Sequence, residues 1–65
     1  MGDKLFCDII ATKDTTSEGI PIFKFVIWND KGQMIDIGKI FDFSKKQVKN
    51  RILELYNHHR IIFGR

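Results

Sequence analysis

Two histidines, one cysteine and eight carboxylates are the groups in this 65-residue chain with the means for acid–base, nucleophilic or metal chemistry, and their spacing speaks against all three. His58 and His59 are neighbours, and neighbours on a helix diverge by ~100°, so they do not close on one ion as an i, i+4 pair would. His59 reads as a core-edge residue and His58 as a solvated one. Cys7 sits beside Asp8 in an alternating run with no base in sequence reach, which is the setting of a small inward-facing apolar residue. Gly32 and Gly38 stand singly, so no glycine loop cradles a phosphate. The expectation is a protein that is not an enzyme, with no cofactor and no metal. What remains is a set suited to phosphates and base edges: Lys45, Lys46, Lys49, Asn50, Asn57 and Arg60.

These residues fall in the one segment with an evident helical period, Phe43 to Arg60. Ser44 followed three residues later by Gln47 makes a capping box, and Phe43 and Val48 have the spacing of a hydrophobic staple, so the helix is expected to begin at Lys45. Val48, Ile52, Leu55, Tyr56 and His59 recur at i, i+4, i+7, i+8 and i+11 and form the predicted buried stripe. Lys46, Lys49, Asn50, Leu53, Asn57 and Arg60 share the outward face. Lys45 and Lys46 in the first turn oppose the sign that the helix dipole prefers, which points to selection for something other than helix stability.

The rest of the chain reads as strands. Leu5, Cys7, Ile9 and Ala11 alternate with Phe6, Asp8, Ile10 and Thr12, a two-residue period over Lys4 to Thr12. Lys13 to Gly19 is a polar loop. Ile20 to Asn29 is the predicted central strand, with Pro21 confined to its beginning. Asn29-Asp30-Lys31-Gly32 supplies a hairpin turn with glycine where positive φ is wanted. Gln33 to Phe41 then pairs back as a third strand, with Ile35, Ile37 and Phe41 toward the core and Met34, Asp36, Gly38 and Ile40 away from it. Arg60 to Arg65 is open between a last helical turn, a short fourth strand and a tail. The expected fold is therefore α+β, a three-stranded antiparallel meander sheet with one C-terminal helix packed on one face, in one small domain over residues 1–65.

About residues 34 to 53 also resemble a helix-turn-helix motif, through Ile37, Gly38, Ile40, Phe41, Val48 and Ile52, with Asp42 where that turn commonly has glycine. The resemblance implies a β-hairpin followed by a helix-turn-helix. Three Ile, one Gly, one Phe and two Asp within Ile35 to Asp42 make a poor helix and favour the strand.

Composition bounds the function classes. An apolar content of 43% with eight aromatics suits a folded chain, no apolar run approaches the ~20 residues of a membrane span, and the start, Met-Gly-Asp-Lys, lacks a signal-peptide core. The single cysteine allows no intrachain disulfide and no cysteine zinc site, which favours a reducing, cytoplasmic setting. A chain this short has little core, so self-association as a homodimer is expected to supplement it. Residues 1–32 carry −1 and residues 33–65 carry +4 of the net +3. The first functional expectation is a non-catalytic DNA-binding regulator using the basic helix face. The alternative is a protein-binding inhibitor or adaptor, of the kind phages and mobile elements deploy, docking a host or complex protein on a sheet edge or on the face formed by Phe6, Ile10, Val26, Trp28, Met34 and Ile40.

Overall fold

The computed structural model describes residues 4–64. Met1, Gly2, Asp3 and Arg65, and with them the expectation drawn on the first residues, lie outside the described residues. The fold is a small α+β arrangement of a four-stranded mixed sheet and one helix: β1 (Lys4–Thr15), β2 (Pro21–Asn29), β3 (Met34–Phe41), α1 (Lys45–Leu55) and β4 (Arg60–Phe63). In the sheet the strands stand in the order β3-β2-β1-β4, with β1–β2 and β2–β3 antiparallel and β4 parallel to β1. The expected three-stranded meander is thus present but incomplete, because the open segment after the helix adds a fourth strand. Since β3 and β4 both run parallel to β1, the chain must cross from one edge of the sheet to the other. A crossover between parallel strands is the task a helix performs. That path explains why α1 lies on a single face.

The two hairpin turns follow their residues. Asn29 organises the β2–β3 turn: its Oδ1 accepts from the Lys31 and Gln33 N–H groups, both at 2.9 Å, while Gly32 takes φ +82°. Pro21 opens β2, as its missing N–H requires. Strand β1 runs three residues beyond the expected Thr12 and leaves a shorter loop, closed by Gly19 at φ +83°.

The helix begins where the sequence says and ends sooner. Ser44 Oγ accepts from the Gln47 N–H at 3.3 Å. The staple does not form, because Phe43 is 73% exposed while Val48 is wholly buried. Tyr56 is the C-cap, so the helix stops at Leu55, and Asn57, His58 and His59 turn the chain into β4. The predicted stripe is correspondingly shortened to Val48, Ile52 and the partly buried Tyr56, with Leu55 exposed.

The core comprises Leu5, Cys7, Ile9, Phe23, Phe25, Ile27, Ile40, Val48 and Ile52, with Tyr56, Ile61 and Phe63 packed at its margin. Beyond the exposed Leu55 and the buried Val26, its departure from expectation is the phase of β3. Phe23 lies opposite Ile40, Phe25 opposite Gly38 and Ile27 opposite Asp36, so Ile40, Gly38 and Asp36 face the helix, and Ile35, Ile37 and Phe41 are about half exposed. Two contacts fix this inversion. The Phe25 ring occupies the space over Gly38, where an added Cβ would lie 3.0 Å from its ring carbons. Asp36 accepts a hydrogen bond from the Tyr56 hydroxyl, which anchors the C-terminal end of α1 to β3. A bulge at Ile35 absorbs the extra residue between the Ile27–Asp36 and Trp28–Met34 pairs.

Candidate binding surfaces

Cys7 is fully buried, and its burial, reinforced by Asp8, pushes the thiol pKa up to about 11, so it is held protonated near neutrality. Burial and then the Asp36 hydrogen bond push the Tyr56 hydroxyl up to about 12. His59 packs edge-on against Tyr56, with ring centroids 6.3 Å apart, and its Nδ1 is a buried atom with no hydrogen-bond partner among the described residues. No cluster of three or more His, Cys, Asp or Glu suited to a metal occurs among the described residues. No helix among them is long and apolar enough to cross a membrane.

The six residues expected to form one nucleic-acid face are distributed over three places. Lys45 and Lys49 turn toward β1 and line a cavity of about 240 Å³ with Cys7, Ile9, Phe63 and Gly64. The Lys49 ammonium stands 5.5 Å from the centre of the Phe63 ring, a cation–π contact. Lys46 and Asn50 point outward from the helix beside the exposed Leu53. Asn57 lies in the turn after the helix, and Arg60 is the first residue of β4, opposite Lys4 on β1. The early end of the helix separates these last two from the rest.

The sheet face opposite α1 gathers most of the other predicted set. Registration across the strands sets Met34 opposite Trp28, Trp28 opposite Phe6 and Phe6 opposite Ile62, an apolar row that spans all four strands. Beside it, Ile37 lies opposite Val26 and Val26 opposite Asp8. Two rows further, Phe41 lies opposite Ile22. Lys24, opposite both Lys39 and Ile10, makes the intervening row. Of the expected interface residues, Phe6, Ile10, Val26, Trp28 and Met34 are on this face, and Ile40 is in the core instead. Ile37, Phe41 and Ile62 belong to the face and were not legible as such. The signal for Ile37 and Phe41 was Gly38, which fits beneath a large aromatic and so reverses the alternation around it.

The charge of this face is one-sided. By strand alternation Lys4, Lys24, Lys39 and Arg60 share it with Asp8 and, near the far end of β1, Asp14. Comparison of the chain with protein-family models, with curated proteins and with solved structures finds no match.

Proposed function

We propose that this chain is a small non-catalytic protein-binding module that docks a partner on the open face of its sheet. The observation that carries the reading is the apolar row Met34–Trp28–Phe6–Ile62, continued by Ile37 over the buried Val26, on a face that the single helix does not reach. Aromatic and methionine side chains at the centre with charge outside them is the composition of an interface core and rim. The excess of basic residues on this face favours a different protein over a second copy, because two copies facing each other would oppose like charges. The partner is therefore a protein with an apolar ridge flanked by acidic residues, rather than the homodimer that chain length alone suggests. A photo-crosslinking residue placed at Ile37 should yield one discrete heterologous adduct in native cells, and Lys24→Glu with Lys39→Glu should abolish it. Adducts only with the chain itself, or none, would refute the reading.

DNA binding by the helix is the second reading, supported by the first turn, which carries no acidic residue and presents Lys45 and Lys46. It predicts an affinity for duplex DNA that falls with salt at a log–log slope of about −0.9 for each lysine–phosphate contact and is lost in Lys46→Glu. A chain that binds no duplex, single strand or RNA at ~50 mM salt, where such contacts are strengthened, would end it.

A further inference from the structure

Strand β1 is twelve residues long, but its neighbour β4 is only four. The parallel register runs from Lys4–Arg60 to Cys7–Phe63 and is continued by one bond, from the Gly64 N–H to the Cys7 carbonyl at 3.1 Å. That bond fixes the direction of the backbone groups that follow. With the Cys7 carbonyl aimed at the β4 side, alternation aims the N–H and C=O groups of Ile9 and Ala11 to the same side, while those of Asp8 and Ile10 face β2. Beyond Gly64, no strand among the described residues lies against this edge of β1. Of the usual protecting devices the edge carries a single charge, Asp8, whose backbone groups face β2. From Asp8 to Ala11 it has no proline and no lysine, and the bulge in the β1–β2 register comes only after Ala11.

The cavity described above lies directly along this edge. It is lined by Cys7, Asp8, Ile9 and Ile10 of β1, by Phe63 and Gly64 at the end of β4, and by Lys45 and Lys49 of α1; by strand alternation the side chains of Asp8 and Ile10 belong to the open face. A chain laid against Ile9 and Ala11 would continue the line of β4 and pair its backbone with the open groups. Its side chains on the helix side would meet two ammonium groups one helical turn apart. Lys49 is held over the Phe63 ring, so its charge is positioned rather than sweeping free. Lys24 and Lys39 belong to the other face and do not contribute here.

We infer that the edge of β1 from Asp8 to Ala11, together with Lys45 and Lys49, is a second binding site that takes an extended peptide segment of another protein as an added strand, with an acidic side chain directed at the two lysines. The peptide backbone supplies the affinity and the carboxylate supplies register and selectivity, the division of labour usual in strand addition. The site is independent of the proposed function, because it uses an edge and the helix side of the sheet instead of the open face.

The test is a selection of random displayed heptapeptides on the full chain, followed by amide hydrogen exchange and NMR titration with the best synthetic peptide, acetylated and amidated. The expected result is enrichment of glutamate or aspartate within β-branched sequence, with new exchange protection at Ile9 and Ala11. Lys45→Glu with Lys49→Glu should weaken the peptide about tenfold or more, and so should N-methylation of alternate peptide bonds, which leaves every side chain in place. A peptide with a free C-terminus and no acidic side chain distinguishes capture of a terminal carboxylate, and equal binding by it would overturn the side-chain assignment. Peptides without acidic enrichment, or shifts confined to Trp28, Val26 and Ile37, would overturn the site. That second pattern would still leave the open-face reading standing. Both lysines lie on the surface of α1, and the far-UV and amide spectra of the double variant report directly whether its fold survives.

Discussion

The two faces of the sheet are made from the same strands and the same kinds of residue, yet one is a core and the other a surface. On the helix side, Cys7, Ile27, Val48 and Ile52 lose all contact with solvent, and Tyr56 closes the end of the stack through Asp36. On the other side only Val26 is buried, Trp28 and Phe6 are half-buried, and Ile10, Met34, Ile37 and Phe41 are about half exposed. The helix is the whole difference. At ~1.5 Å per residue its eleven residues span ~16 Å, whereas at ~3.3 Å per residue the twelve of β1 span ~40 Å. One short helix covers part of one face, and apolar alternation on both faces of the sheet leaves the remainder for something else to cover. Fold stability and binding are thereby assigned to opposite sides of one layer, which makes the comparison open to direct test.

The largest effect is expected at the helix side. Ile52→Ala removes a fully buried side chain from the contact between α1 and the sheet and should cost about 3 kcal/mol, read from urea denaturation. In a chain of this size that is a large share of the total stability. A loss below ~0.5 kcal/mol would mean that the helix does not hold this face.

High pH should weaken the same side. The pKa values of Cys7 and Tyr56 are raised in the folded state, from 9.0 to about 11 and from 10.0 to about 12. A raised value means that the unfolded chain releases its protons first. The corresponding stability is complete below about pH 9 and falls as the pH rises through the Cys7 interval and then the Tyr56 interval. In Tyr56→Phe the upper part of that decline should disappear from a series of thermal melts between pH 8 and 12. An unchanged decline would place its origin elsewhere.

Gly38→Ala tests the phase of β3. Its new methyl would press on the Phe25 ring, itself inside the core, and should destabilise by about 1–2 kcal/mol. If Gly38 instead faced outward, the same change would be neutral or favourable.

The smallest effect sharpens the contrast most. Met34→Lys and Phe41→Lys alter exposed positions on the open face, and each should shift stability by no more than ~0.5 kcal/mol while removing the adduct formed by the crosslinker at Ile37. A large loss of stability from either would show that the open face is already part of the core.

Much of this architecture is local and was legible residue by residue. Ser44 set the helix start because its oxygen reaches the Gln47 N–H whatever the helix packs against, and Gly32 and Asn29 set the turn by backbone geometry alone. Alternation in β1 and β2 identified which residues are inward, since Leu5, Cys7, Ile9, Phe23, Phe25 and Ile27 are core as expected. The same alternation left β3 ambiguous, because isoleucine or phenylalanine occupies both of its phases. Only the ring of Phe25 over Gly38 and the reach of Tyr56 to Asp36 chose between them. Helical periodicity likewise continued past Leu55 in the sequence, but the chain had to turn there for Arg60 to Phe63 to lie parallel to β1. Apolar pattern fixes that a residue is buried against something. What it is buried against depends on contacts between segments distant in sequence, and those decided the composition of both surfaces.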